Sequence, residues 1–240
     1  MRVGSLFSGI GGLDLGLERA GMTVAWQSEI DPHACRVLSK HWPNTPNLGD
    51  ITTIEWSEVE PVDVICGGYP CPAFSLAARG RNTAPDLWPH MRSAIAAVRP
   101  RYVILENVAA HLRRGFAAVL GDLADLGFDA EWDVLTACSV GASHPRRRLF
   151  ALAYPHGYEQ PTGPLDAETP VMPTITGCGR DGWQASPHDV GADDGVPYRL
   201  DRLRALGNAV VPQVAELVGR RLMAVANPQR DDVSGRQGDA

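Results

Sequence analysis

The chain has a single lysine, Lys40, among its 240 residues. Almost all positive charge is therefore arginine, and any anion contact falls to a planar, bidentate guanidinium rather than to a flexible ammonium. No run of 18 or more apolar residues occurs, which excludes a membrane-spanning helix of ordinary length. The opening MRVGSLF is too quickly interrupted by glycine to read as a signal peptide. These absences point to a soluble, cytoplasmic protein. The five cysteines, at 35, 66, 71, 138 and 178, are odd in number and include no CxxC pair. That argues against a disulfide framework or a zinc site and for reduced thiols.

Overall positive charge is also lacking. The net charge of −6 would speak against a nucleic-acid binder if it were evenly spread. It is not. Residues 155–195 hold seven acids and one arginine, which leaves the rest of the chain neutral. Residues 76–114 hold seven arginines against Asp86 and Glu106. Arg146, Arg147 and Arg148 are consecutive, and Arg199, Arg202, Arg204, Arg220 and Arg221 gather near the end.

The hydrophobic pattern alternates between short apolar runs and 3.6-period stretches. Strands are predicted at 2–7, 23–28, 62–66, 101–105, 130–138 and 148–153, with helices near 13–21, 32–41, 86–98, 115–126 and 200–226. This alternation indicates an α/β fold, doubly wound around a mostly parallel sheet. Residues 155–195, with six prolines and seven glycines and no sustained period, read as a loop-rich insert. The domain reading is thus a catalytic and cofactor-binding part at 1–154, the insert at 155–195, a segment at 196–226 that completes the first part, and a polar, disordered tail at 227–240.

Five constellations carry chemistry. Phe7-Ser8-Gly9-Ile10-Gly11-Gly12 lies between a strand and a helix, with Glu29 at the end of the next strand. A glycine turn followed about 20 residues on by an acid suits a ligand with ribose hydroxyls. Asp14 takes the place of a third glycine, and its charge near a helix start disfavours a pyrophosphate. Gly67-Gly68-Tyr69-Pro70-Cys71-Pro72 follows a strand directly, so Cys71 is placed for reaction rather than packing, whereas Cys66 and Cys138 fall in apolar runs. Glu106-Asn107-Val108 ends an apolar strand; Asn107 alone could be a helix cap. In Arg146-Arg147-Arg148, residues 146 and 148 share one face of an extended chain. Gly207-Asn208-Ala209-Val210-Val211-Pro212 opens the last helix.

In this order, and with Gly49-Asp50-Ile51 between the first and second, these segments resemble the DNA cytosine-5 methyltransferase family over about residues 3–222, apart from the insert. The resemblance implies the class I methyltransferase fold and S-adenosylmethionine as cofactor. Phe7 matches the residue that stacks on the adenine, Gly9, Ile10, Gly11 and Leu13 the turn around the methionine portion, and Glu29 the ribose acid. Asp50 and Ile51 match the adenine contacts, and Pro70, Asn208 and Val210 complete the cofactor set. Cys71 matches the nucleophile, Glu106 the acid at the base, Arg148 the arginine that reaches the ring carbonyl, and Arg146 its partner in the pocket.

The resemblance further implies a double-stranded DNA substrate with base flipping, here by a monomer in a bacterial or phage-infected cell. Phosphate anchoring is assigned to Arg79 and Arg81 and to the 199–204 arginines. The insert is assigned a target-recognition role, with Trp183 near the flipped base. Two positions depart from the family pattern: Pro72 and His144 each stand where glutamine is usual. Three other readings share parts of this pattern: a nucleotide-dependent oxidoreductase, an RNA cytosine-5 methyltransferase, and a relative that binds DNA without methylating it.

Overall fold

A computed structural model describes residues 1–70, 85–142, 144–158 and 206–226. The six strands are β1 (Arg2–Leu6), β2 (Thr23–Ser28), β3 (Val64–Gly67), β4 (Tyr102–Val108), β5 (Phe128–Leu135) and β6 (Arg148–Pro155). The helices are α1 (Gly12–Arg19), α2 (Pro32–His41), α3 (Trp88–Val98), α4 (Phe116–Asp125) and α5 (Pro212–Ala226). They build one sheet of order β2-β1-β3-β4-β6-β5. The first four strands run parallel, and β6 is antiparallel to both β4 and β5.

Strands β1, β3 and β6 are buried almost along their whole length, with Ser5 the one polar side chain inside β1, because both faces of the sheet are covered. One buried cluster centres on Leu6, Ile65, Met91, Val103 and Leu123; the other, on the opposite face, centres on Leu17, Ile104, Leu152, Val218 and Leu222. At Gly4 the missing side chain admits the Trp26 indole, since a Cβ there would sit 2.1 Å from its ring. Small residues also let α1 and α5 approach: a Cβ on Gly16 would fall 2.4 Å from both the Ala215 Cβ and the Pro212 carbonyl.

Helix α2 starts as its sequence demands. Asp31 accepts from the amides of His33 and Ala34 at 2.8 and 2.9 Å, and Pro32 occupies the first turn, where no amide is needed. Strand β4 continues through Val108, so Glu106 and Asn107 are strand residues rather than the loop that follows. Cys138 lies beyond β5, in a short 3-10 turn. Among the described cysteines, Cys35 and Cys66 are free. No helix among the described residues is long and apolar enough to cross a membrane.

The chain order makes β1 a switch point, because it pairs with β2 on one side and β3 on the other. Chains leaving the carboxyl ends of the adjacent strands β1 and β3 diverge to opposite faces and leave a crevice there. Phe7, Glu29 and Gly68 each follow the last residue of one of these strands.

Candidate active site

The turn after β1 is held in an unusual conformation. Phe7, Gly9 and Gly11 all have positive φ, at 54°, 56° and 79°. For phenylalanine this costs about 1 kcal/mol, and such strain gathers where function needs a particular backbone. Glu29 secures the turn: one carboxylate oxygen accepts from the Gly9 amide at 2.7 Å, and the other from the Ile30 and Asp31 amides at 2.8 Å each. A carboxylate has about four acceptor sites, so capacity remains for a ligand hydroxyl. A Cβ on Gly9 would meet nothing within 4 Å, so the backbone is open above it. Asn47 fixes Glu29 in turn by hydrogen bonds at 3.0 Å to and from its backbone. No sequence signal singled Asn47 out; it follows Pro46 and forms an isolated bridge with Gln27.

Ser28 donates to the Gly49 carbonyl at 2.7 Å and brings the loop of Asp50 and Ile51 beside β2. Ile51 is buried. Asp50 is exposed and accepts from the Thr52 amide and hydroxyl, which lower its pKa. Val210 lies directly over the helix start, with its carbonyl 2.4 Å from where a Cβ on Gly12 would be. Leu13 is buried in the core below, while Pro70 and Asn208 are exposed.

The structure corrects one argument. Asp14 does not present charge to the mouth of the turn. It is fully buried, accepts from Gln27 Nε2 at 2.7 Å, and burial pushes its pKa up to about 6. It offers no reason of its own to exclude a phosphate.

A second group of residues meets beside β4. Glu106 is 7% exposed, and burial raises its pKa to about 7 even though Arg148 and Arg146 oppose the shift. The pairing register sets Glu106 opposite Phe150 and Val108 opposite Arg148, so Glu106 and Arg148 are diagonal neighbours on one face. Arg148 Nε lies 3.0 Å from Glu106 Oε1. Oε1 is buried and, among the described residues, is held by this ion pair with no further hydrogen-bond partner. A buried carboxyl oxygen in that state is a group that a polar ligand would satisfy. Its other oxygen lies 2.8 Å from where a Cβ on Gly68 would be, so only glycine fits at 68 without displacing the acid.

Arg146 faces the same way as Arg148, while Arg147 is exposed. Arg146 donates to the carbonyls of Gly207 and Ala209 at 2.8 and 2.5 Å and so pins the segment that carries Asn208 and Val210. A cavity of about 1000 Å3 opens here, with Ile10, Gly11, Trp42, Arg146, Arg148 and Val210 in its lining. Phe7, Glu29, Asp50 and Ile51 are not in that lining. The structure thus brings Ile10, Gly11 and Val210 together with the two arginines, and groups Glu29, Asp50 and Ile51 separately through the Glu29 and Ser28 hydrogen bonds.

Cys71, Arg79, Arg81 and Trp183 lie outside the described residues, as does most of the insert. Of the C-terminal arginines, Arg220 pairs with Glu216 at 2.6 Å, and Arg221 with Glu131 at 3.3 Å, which ties α5 to β5. These two serve the fold. No cluster of metal-binding side chains occurs among the described residues.

With this arrangement in view, residues 1–179 match the family model described as C-5 cytosine-specific DNA methylase. The chain belongs to that family. It is 32% identical over 156 residues to the type II methyltransferase M.NgoBI of Neisseria gonorrhoeae, covering 62% of this chain and 49% of the relative. It is 34% identical over 157 residues to M.HgiBI of Herpetosiphon aurantiacus, covering 60% and 35%. The chain thus spans about half or less of the length of these methyltransferases.

Among solved structures, a putative DNA modification methyltransferase encoded within an Escherichia coli prophage superposes with a TM-score of 0.54 at 27% identity, covering 65% of this chain and 47% of the other. The Entamoeba histolytica methyltransferase EhMeth superposes at 0.62 over 95% of this chain and 98% of the other; at 14% identity it speaks for the fold alone. The methyltransferase fold expected from the sequence is the one observed, with β6 running against its neighbours.

Proposed function

We propose that this methylase-family chain transfers a methyl group from S-adenosylmethionine to C5 of a cytosine flipped out of double-stranded DNA. The observation that carries the reading is Glu106. It is a buried carboxyl whose pKa is raised to about 7, set between Gly68 and Arg148 and ion-paired to the latter through one oxygen. A carboxyl that holds a proton near neutral pH can donate to a ring nitrogen.

The cofactor would supply an electrophilic methyl carbon. The open backbone at Gly9, the remaining acceptor capacity of Glu29 and the partly buried ring of Phe7 fit its adenosine portion. Asp50, Ile51 and Pro70 would border the adenine. Ile10, Gly11, Leu13, Asn208 and Val210 would enclose the remainder. Replacing Glu29 with alanine is expected to weaken S-adenosylmethionine binding by about 1–3 kcal/mol, through lost charge-assisted hydrogen bonds. Isothermal calorimetry checks this, and unchanged affinity would remove Glu29 from the cofactor site.

The chemistry assigned to the chain follows from the aromatic ring. C5 of cytosine is too weak a nucleophile while the ring is intact. The Cys71 thiolate adds to C6, and Glu106 gives its proton to N3, which leaves an enamine whose C5 can accept the methyl group. Loss of the C5 proton to a base, expulsion of the thiolate and return of the N3 proton to Glu106 then restore the ring. Arg148 would bind the ring carbonyl, and Arg146 would hold the wall of the pocket next to it. Arg79 and Arg81 are assigned to phosphates, and residues 155–195, with Trp183, to base readout.

The test is direct. The purified chain is incubated with methyl-labelled S-adenosylmethionine and either duplex DNA or RNA, and the products are digested to nucleosides. Label in 5-methylcytosine from DNA is the expected result. Label from RNA alone would move the substrate to RNA, and none from either would leave a non-catalytic relative.

A further inference from the structure

Two buried residues beside this site have no part in the chemistry above. Tyr69 and His111 are each 4% exposed, and the Tyr69 hydroxyl lies 2.7 Å from His111 Nε2. The other ring nitrogen, Nδ1, lies 3.0 Å from the Arg114 carbonyl. A carbonyl only accepts, so Nδ1 carries the hydrogen. In a neutral ring Nε2 is then the acceptor and the Tyr69 hydroxyl the donor. Burial lowers the His111 pKa, which keeps the ring neutral.

Tyr69 is held at its other end too. Its carbonyl accepts from Asn107 Nδ2 at 3.1 Å, and its ring packs against Trp88 and His111 at 5.1 and 5.6 Å between centroids. Every one of these anchors except Trp88 comes from β4 or the short 3-10 helix that follows it, Ala109–Arg113. That is the element that carries Glu106. Gly67 is paired with Leu105, and Gly68 abuts Glu106. Residues 67–69 are thus fixed to the Glu106 element by sheet register, close approach and side-chain hydrogen bonds in succession, and Cys71 is two residues further on.

We propose that Tyr69 and His111 form a positioning brace that sets where the Cys71 loop leaves β3 relative to Glu106. The proposal rests on the reading of Cys71 as the nucleophile. His111 and Tyr69 act through the loop and touch neither base nor cofactor.

Removing the shared hydrogen bond should slow the step that needs both groups aligned and leave the cofactor site alone. Tyr69→Phe keeps the ring packing and is expected to lower kcat about tenfold, with S-adenosylmethionine affinity unchanged. His111→Leu should fall at least as far, and His111→Gln, which keeps an acceptor, should recover most of the loss. The double variant Tyr69→Phe/His111→Leu should be little worse than His111→Leu alone, because both remove one interaction.

Wild-type kcat in Tyr69→Phe would overturn the brace, as would additive losses that merely follow the melting temperature. If the wild type itself transfers no methyl group, the functional reading fails. The brace is then judged on the rate at which iodoacetamide alkylates Cys71 in the reduced protein, followed by peptide mass spectrometry. A changed rate in Tyr69→Phe and His111→Leu supports it, and an unchanged rate in both overturns it.

Discussion

Cys71→Ala is expected to lower methyl transfer by at least about 10³-fold while leaving S-adenosylmethionine affinity within about twofold. The asymmetry follows from the roles assigned. Without a group to add at C6 the ring stays aromatic, and C5 has no electron density to offer. The cofactor, in contrast, is assigned to the Glu29 turn and the segments at 49–51 and 207–210. Label transfer to DNA and calorimetry with the cofactor read the two properties separately. An active alanine variant would place the nucleophile elsewhere.

Glu106→Gln is expected to lower kcat by about 10²–10³-fold, since an amide cannot give up the proton that N3 needs. The same substitution has a pH signature. With a pKa of about 7, Glu106 holds its proton below that value and loses it above. Wild-type kcat/KM for DNA should therefore have a limb that falls as pH rises through about 7, and the glutamine variant should lack that limb.

Stability should move in a matching way. A carboxyl raised from 4.5 to about 7 contributes stability that is present below the lower value and lost as pH rises through the higher. The melting temperature of Glu106→Gln should gain on the wild type as pH rises from 4.5 to about 7 and level off above that. A difference that is flat over this range would mean that Glu106 is already ionised throughout, and the proton-donor role would fall.

Much of this was legible in the sequence. The apolar runs gave the strands because both faces of the central sheet are covered, and a two-sided strand has no polar alternation to blur it. Pro32 after Asp31 marked the start of α2, since cap chemistry is local. Glu106 could be chosen as an acid ending an apolar run, but its raised pKa could not, because that comes from burial in the folded chain and prevails over the opposing charges of Arg148 and Arg146.

Other features were hidden for the same reason. Asp14 reads as a charge at a helix start, and only the packing of α1 on the sheet turns it toward Gln27. Arg220 and Arg221 read as part of a basic cluster until the fold sets Glu216 and Glu131 beside them. Tyr69 and His111 are 42 residues apart, and neither belongs to a pattern that predicts the other.

The central claim is that Cys71 and cytosine form a covalent adduct. In duplex DNA containing 5-fluorocytosine the fluorine cannot be removed as a cation, so methylation at C5 leaves the enzyme joined to the base. The wild type with S-adenosylmethionine should shift to a DNA-linked species on a denaturing gel, and peptide mapping should locate the link at Cys71. A 5-methylcytosine product from ordinary duplex DNA with no such species, or a link at another residue, would contradict the account.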